Sequence, residues 1–274
     1  MQALSRELLL PNCRIRSSNV GGSGTVIYSK ENTRGTFSTY VLTNHHVVAN
    51  NIKHEKKWST LLKRDIKDDV LGLVEAHFFK WQYQSRAIGT ISIDSDIMTY
   101  DPDEDLALLR LRDEEKVEAV AKLYPKGKEP EVRLGMPVVT IGAGLGEAPV
   151  ITVGRLAQFA REIENREFWL STAPSIFGNS GGACYLEESG EFIGVPARGA
   201  VTVSLLGMDA ITHLSYIIPI TRVYKFLDAQ LFRFIYDENY TEDGEGKARE
   251  RRRKEEERKM AVGEERGEET SEEV

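Results

Sequence analysis

The chain has 274 residues, a formal net charge of -7 and 41% hydrophobic residues. This composition supports a globular core, and the acidic balance argues against non-specific nucleic-acid binding, which relies on lysine and arginine facing phosphates. Two cysteines, Cys13 and Cys184, are too few for a disulfide framework, although a single bridge stays open. No apolar run is long enough for a signal peptide or a membrane span, so we expect a cytoplasmic protein without a membrane partner.

Short apolar runs of strand length occupy the chain up to about Thr221, and glycine, asparagine, aspartate and proline separate them. They cover residues 25–28, 40–43, 74–81, 106–111, 138–141, 150–159 and 168–172. Because no helical periodicity lies between most of them, they predict an all-β fold, a barrel or a sandwich, rather than a βαβ sheet.

A polar and mostly basic stretch, residues 50–69, interrupts the strand-like runs. We interpret it as an inserted surface loop with at most one helical turn, and it is called the 51–69 insertion below. Further along, residues 222–236 carry apolar side chains at helical spacing, which predicts a C-terminal helix after Pro219 with Thr221 as its cap.

Residues 241–274 carry 13 acidic and 9 basic side chains, against five Ala, Val or Met residues, so this stretch cannot bury a core of its own. Opposite charges recur four positions apart, which predicts a solvated helix that frays at its end. The pairs are Glu250 with Lys254, Arg252 with Glu256, Arg253 with Glu257, and Glu255 with Lys259.

Three local signals occur in the order histidine, aspartate, serine. In YVLTNHHVV, an apolar strand ends in a polar turn from which His46 projects. In DPDEDLALLRL, Asp105 stands at the start of an apolar strand, where a buried carboxylate can accept a hydrogen bond from an imidazole N–H. In FGNSGGACY, Ser180 lies among Gly178, Gly181 and Gly182.

The glycines beside the serine suit an acyl-transfer nucleophile. Such a nucleophile must be exposed while nearby backbone N–H groups converge on the developing oxyanion, and side chains would obstruct that convergence. Glycine also adopts positive φ readily. Taken singly, GNSGG is compatible with a turn, His46 with the polar end of a strand, and Asp105 with a strand-edge charge. Their joint occurrence in this order favours a catalytic triad.

Other polar clusters are weaker candidates. His45 precedes His46 directly, so on a strand-like segment it points the opposite way. A zinc site built from His45, His46 and His54 has no recognised ligand spacing and lacks a carboxylate or cysteine companion. GAGLGE lacks the third glycine and the helix of a dinucleotide loop, so a turn is the better interpretation. Cys184 is expected to pack in the core as a small apolar group.

These motifs resemble those of the trypsin-like serine proteases, and most closely the bacterial HtrA-type branch. The matching segments are GSGTVIY (22–28), TNHHVV (43–48), DLALL (105–109) and GNSGG (178–182). The resemblance covers about residues 14–228 and implies two six-stranded antiparallel β-barrels, residues 14–115 and 130–220, followed by a helix. A protease domain over residues 1–236 and a charged tail over 237–274, helical or disordered, are therefore expected.

The resemblance also implies the roles of the site residues and a polypeptide substrate. Ser180 would be the nucleophile, His46 the general base and Asp105 the residue that orients the histidine. The backbone N–H groups of Gly178 and Ser180 would form the oxyanion hole, with Asn179 shaping the turn between them. No metal or cofactor is required.

Two departures from related proteases are informative. Asn179 stands where digestive-type enzymes have the aspartate that pairs with a newly cleaved N-terminus, so activation by N-terminal cleavage is not expected. A charged tail stands where the PDZ domain of HtrA-type proteases commonly follows, so regulation by PDZ-captured peptides is not expected either.

The resemblance places the base of the specificity pocket at Pro174 and its wall at Gly194, Val195, Pro196 and Ala197. Because no carboxylate lies at the base, cleavage after arginine or lysine is disfavoured and a small or medium apolar side chain is expected. Arg198, near the wall, is the alternative, since it would select an acidic residue.

Two functions compete at this point. The first is an active serine endopeptidase that works through an acyl-enzyme. The second is a catalytically silent or self-processing binding protein on the same fold, which recruits a partner through the 51–69 insertion or the charged tail. The complete triad favours the endopeptidase. The sequence leaves the oligomeric state open.

Overall fold

The computed structural model describes residues 7–18, 20–59, 64–83, 86–204 and 207–269. The chain divides into two compact units. The first comprises Met1–Asn51 and Leu71–Phe226, and the second comprises Ile52–Val70 and Leu227–Val274. The predicted active-site residues all belong to the first unit.

The described residues include fourteen strands. They are β1 (Asn12–Ser17), β2 (Val20–Glu31), β3 (Phe37–Thr43), β4 (Ile52–Ser59), β5 (Arg64–Leu71), β6 (Val74–Gln82), β7 (Arg86–Asp101), β8 (Leu106–Leu111), β9 (Pro137–Gly142), β10 (Val150–Ile163), β11 (Arg166–Ser171), β12 (Ala183–Leu186), β13 (Phe192–Ser204) and β14 (Gly207–Pro219).

Twelve of these strands close into two six-stranded barrels. The first barrel has the strand order β1, β2, β3, β8, β7, β6, and the second has the order β10, β11, β14, β13, β12, β9. Neighbouring strands with a determined register run antiparallel, as for β3 against β8 and β9 against β12. The prediction of two antiparallel six-stranded barrels is confirmed.

The barrels form because apolar side chains on the strands point inward. Every apolar run predicted to be a strand overlaps an observed one. In β8 the side chains of Leu106, Leu108 and Leu109 are fully buried, and in β11 Phe168 is 1% exposed. Each such side chain stabilises the fold by about 1.5–3 kcal/mol relative to exposure in water.

The 51–69 insertion is a hairpin, so the prediction of a loop was wrong. Its strands β4 and β5 form a separate two-stranded sheet, and residues 60–63 lie outside the described part of the chain. Side chains such as Lys53 and Glu55 face water. The sequence therefore lacks the alternation of apolar and polar residues that predicts a strand. His54 Nδ1 lies 2.6 Å from Asp69 Oδ1 within this hairpin.

The described helices include α1 (His45–Val48), α2 (Ile220–Ala229) and α3 (Glu242–Glu269). Short 3-10 turns lie at Ala49–Asn51, Glu129–Glu131, Gly144–Gly146 and Arg233–Ile235. Helix α2 starts one residue before Thr221, so Thr221 is not its cap, and it ends earlier than the predicted Tyr236. The reason is the backbone at Leu231, which adopts the left-handed region with φ of 58° and stops the helix. No helix among the described residues is both long and apolar enough to cross a bilayer.

The first turns of α3 are packed, which corrects the expectation of a wholly solvated tail. Glu245 is 3% exposed and accepts hydrogen bonds from Arg233 Nε at 2.7 Å and from the Phe234 N–H at 3.1 Å. Arg252, predicted to pair with Glu256, instead donates to the Ala229 carbonyl at 2.6 Å. The Glu245 carboxylate is buried here because it has partners outside its own helix, which sequence spacing along one helix does not reveal.

Cys13 and Cys184 are free and fully buried, so they form no disulfide with each other. Burial raises the pKa of the Cys184 thiol to about 12 and raises that of Cys13 further. Because the thiolate is the reactive species, we expect neither cysteine of the folded protein to react with a disulfide reagent at pH 8. Titration in urea should then reveal both thiols. Rapid reaction of either thiol without denaturant would contradict this prediction.

Candidate active site

His46 lies on a helical turn that directly follows a barrel strand. Strand β3 ends at Thr43, Asn44 is extended, and α1 begins at His45. The expectation that His45 and His46 lie on a strand-like segment and point in opposite directions was therefore wrong. The ring of His45 stacks on Tyr100, with centroids 5.3 Å apart. The side chain of His46 is 45% exposed and so remains open to solvent on one side.

Asp105 meets His46 from the start of β8. Its Oδ2 lies 2.9 Å and its Oδ1 3.0 Å from His46 Nδ1, and Oδ1 also accepts the His46 backbone N–H at 3.0 Å. The carboxylate side chain is only 9% exposed. Because an ionised carboxylate can only accept, the neutral imidazole carries its proton on Nδ1 and leaves Nε2 as an acceptor. This tautomer is the one that a general base requires.

Asp105 has an uncommon backbone conformation, with φ of 53°. Aspartate tolerates the left-handed region better than most residues, but the conformation still needs support. The fully buried Asn44 provides some of it, because its Nδ2 donates to the Asp105 carbonyl at 2.7 Å. Asn44 was not singled out from the sequence, where it is only a polar residue after an apolar run.

Ser180 lies on the glycine-rich turn between β11 and β12. Its hydroxyl donates to the Ala197 carbonyl at 3.1 Å and makes no hydrogen bond to His46 in the described part of the chain. The Ala197 carbonyl lies at a register shift of β13, between Pro196 and Arg198, where the ladder to β14 is interrupted. Attack by this serine would require the side chain of Ser180 or of His46 to move until Ser180 Oγ and His46 Nε2 reach hydrogen-bond geometry.

The N–H groups of Gly178 and Ser180 are the donors of the predicted oxyanion hole. The adjacent turn donors are used: Asn179 N–H bonds the Ile176 carbonyl and Gly182 N–H bonds the Asn179 carbonyl, both at 3.0 Å. Among the described residues, no backbone acceptor receives the N–H of Gly178 or Ser180. Gly178 adopts φ of 99°, which favours glycine at this position.

Asn179 is 1% exposed, and its Oδ1 has no hydrogen-bond partner among the described residues. Its backbone N–H and its carbonyl are both hydrogen-bonded within the loop. The side chain packs close to Gly144, where an added Cβ would lie 3.0 Å from Oδ1.

Ser23 on β2 is a site residue that the sequence did not reveal. Its backbone N–H donates to the Ser180 carbonyl at 2.8 Å. Its hydroxyl donates to the Gly178 carbonyl at 2.6 Å and accepts the Ala143 N–H at 2.7 Å. A strand of the first barrel thus holds the turn that carries Ser180 in the second barrel. The only signal in the sequence is a polar residue between Gly22 and Gly24.

The residues predicted to form the specificity pocket differ in their exposure. Pro174 is exposed, and its carbonyl accepts Thr152 Oγ1 at 2.9 Å. Gly194, Val195, Pro196 and Ala197 are buried in β13, and Val195 is fully buried, so its side chain presents no surface to a substrate. Arg198 Nη1 already pairs with Glu164 Oε2 at 3.0 Å. The assignment of these residues to substrate selection stays a prediction.

A family model for the trypsin-like peptidase domain matches residues 22–195, which include all three predicted triad residues. The chain belongs to the trypsin-like peptidase domain family. No match was found among curated proteins. Solved structures of several proteases share the fold at low sequence identity.

The protease Rv3671c of M. tuberculosis, in its inactive form, is 19% identical with a TM-score of 0.56, covering 83% of this chain and 92% of that one. The HtrA-type protease AlgW with a tripeptide is 18% identical with a TM-score of 0.58, covering 85% and 64%. Deg5 is 20% identical with a TM-score of 0.55, covering 81% and 90%. At such identities the likeness shows the trypsin-like, HtrA-like fold.

Proposed function

We propose that this member of the trypsin-like peptidase family is a serine endopeptidase that cleaves polypeptides through an acyl-enzyme on Ser180. The observation that carries the proposal is the pairing of His46 Nδ1 with both oxygens of Asp105, at 2.9 and 3.0 Å. This pairing leaves Nε2 as the basic atom. The nearby N–H groups of Gly178 and Ser180 supply the donors that a tetrahedral oxyanion needs.

The reaction follows from these groups. Ser180 Oγ attacks the peptide carbonyl while His46 Nε2 takes the hydroxyl proton, and the N–H groups of Gly178 and Ser180 donate to the oxyanion. Collapse breaks the C–N bond, and His46 gives the proton to the leaving amine. A water then attacks the ester, again losing its proton to His46, and the carboxylic acid product leaves as Ser180 recovers its proton. Asp105 stabilises the imidazolium in both halves.

The proposed substrate preference is a small or medium apolar side chain at the residue whose carbonyl is attacked. Pro174, which offers no charge, supports this preference. The alternative preference for an acidic residue depends on Arg198, whose guanidinium is paired with Glu164 at 3.0 Å. An acidic substrate side chain would have to compete with that carboxylate.

A catalytically silent binding protein is the second candidate. The hydrogen bond from the Ser180 hydroxyl to the Ala197 carbonyl, rather than to His46, is the observation that favours it. The two candidates differ in whether the hydroxyl can reach His46 and react with an electrophile.

Covalent labelling with a fluorophosphonate separates these candidates, because the reagent reacts with an activated serine. We expect one adduct per chain in the native protein, located on Ser180 by peptide mass spectrometry. Ser180→Ala should give no adduct and His46→Ala a strongly slowed one, with circular dichroism showing that both are folded. Equal labelling of native and Ser180→Ala protein would reject the assignment. A folded native protein that does not label would support the silent binding protein.

A further inference from the structure

Arg222, on helix α2, makes polar contacts with two separate segments of the first unit. Its Nε donates to Glu104 Oε2 at 2.6 Å and its Nη2 donates to the Glu104 carbonyl at 2.9 Å. Its Nη1 donates to the Glu167 carbonyl on β11 at 3.1 Å. The guanidinium also lies 4.9 Å from the ring centre of Phe168. The side chains of Arg222 and Glu104 are only 11% and 16% exposed.

The carbonyl that Arg222 holds belongs to the peptide group joining Glu104 to Asp105. The orientation of this peptide plane sets φ of Asp105, which has the left-handed value of 53°. On the other side, Asn44 holds the Asp105 carbonyl. Both peptide groups flanking Asp105 are therefore held by side chains. This double restraint aims the Asp105 carboxylate at His46.

We propose that Arg222 is a positioning residue for the triad, which fixes the Glu104–Asp105 peptide and so delivers the Asp105 carboxylate to His46. The inference rests on the proposed function of the triad. Glu167 and Phe168 lie on β11 and hold the guanidinium in place, so the second barrel supports this restraint. Helix α2 and β11 thereby act on the aspartate of the proposed triad, which lies at the start of strand β8 of the first barrel.

Lys225 provides a matched control, because it contacts the same carboxylate but not the peptide carbonyl. Its Nζ lies 3.1 Å from Glu104 Oε1, and its side chain is 74% exposed. An exposed ion pair of this kind contributes little. Burial acts to raise the pKa of Glu104, but the hydrogen bond and charge of Arg222, followed by those of Lys225, hold it below its ordinary value.

The test compares Arg222→Gln with Lys225→Gln in the full chain. We expect Arg222→Gln to lower kcat about 10- to 100-fold with little change in KM, because a small misplacement of a catalytic group costs that much. Lys225→Gln should stay within about twofold of the native protein. Arg222→Lys should fall between the two, because an ammonium lacks the fork that reaches both acceptors.

Three further measurements distinguish positioning from general destabilisation. Nuclear magnetic resonance of isotope-labelled histidine should show a weakened hydrogen bond from His46 Nδ1–H to Asp105 in Arg222→Gln. The same hydrogen bond should be unchanged in Lys225→Gln. Glu104→Gln keeps the bond to the peptide carbonyl, so it should lose less activity than Arg222→Gln. Folding lowers the pKa of Glu104, so the contribution of its carboxylate to the free energy of unfolding should disappear as the pH falls through the pKa of the folded state. Below that pH, Glu104→Gln and the native protein should unfold at the same denaturant concentration.

An Arg222→Gln protein with native kcat and a native Nδ1 signal would overturn the inference. It would also be overturned if kcat fell only in proportion to the folded fraction. If Arg222→Gln does not fold, kcat and the His46 Nδ1 signal of Arg222→Lys and Glu104→Gln are compared with those of Lys225→Gln instead. Failure of the proposed function looks different, because the native protein itself would then neither label nor hydrolyse peptides, whereas the histidine signal would still report on positioning.

Discussion

Replacing Asp105 by asparagine is expected to lower kcat for peptide hydrolysis by about 10⁴-fold, with the fold intact. The amide has the same shape, so its oxygen can keep the bond to the His46 backbone N–H, now 3.0 Å from Oδ1. Its NH₂ group can only donate, however, and it would meet Nδ1. The imidazole proton must then move to Nε2, which can no longer accept a proton from Ser180. Steady-state hydrolysis of a peptide selected by library profiling measures the loss.

Asp103→Asn is the matched control, since it makes the same chemical change two residues away on the same turn. Asp103 is 92% exposed and forms an ion pair with Arg166 Nη2 at 3.0 Å. Its replacement should leave kcat within about twofold of the native value, because exposed ion pairs contribute little. A native-like kcat in Asp105→Asn would show that this carboxylate does not set the tautomer of His46.

Replacing Gly181 by alanine is expected to destabilise the protein by about 2–5 kcal/mol and to abolish labelling of Ser180. An added Cβ would lie 2.2 Å from the Ser23 carbonyl oxygen and 2.3 Å from Thr43 Oγ1. The residue also has φ of 84°, a region that costs alanine about 1–2 kcal/mol. Relieving the clash by backbone shifts costs about 1–3 kcal/mol more. Urea unfolding followed by tryptophan fluorescence measures the change.

Gly21→Ala serves as the control for this substitution. It lies on the same strand as Ser23, and the nearest atom to its added Cβ would be the Ile15 carbonyl oxygen at 4.0 Å, an ordinary contact. Its unfolding midpoint and labelling should match those of the native protein. If Gly181→Ala unfolded at the native midpoint and labelled at the native rate, the close approach of β2 to the nucleophile turn would not matter for function.

The barrel strands could be predicted because their signal is local. Apolar residues in short runs, separated by turn residues, are a property of neighbouring positions, and β8 was bounded correctly at Leu106 and Leu111. Part of the glycine signal around Ser180 is also local, since Gly178 and Gly181 adopt positive φ. The strands of the 51–69 insertion were not predicted because side chains such as Lys53 and Glu55 face solvent, so the sequence there has no alternation of apolar and polar residues.

The sequence by itself therefore determined the all-β class, the strand segments and the three motifs with their candidate residues. Only the tertiary structure decided that His46 and Asp105, 59 positions apart, lie in hydrogen-bond contact, that Ser23 holds the turn of Ser180, and that the Ser180 hydroxyl rests on Ala197. The same holds for Arg222, whose acceptor on Glu104 lies 118 positions away. Barrel closure and helix packing bring these residues together. Because the partners are far apart in the sequence, no local pattern of residues predicts the contacts.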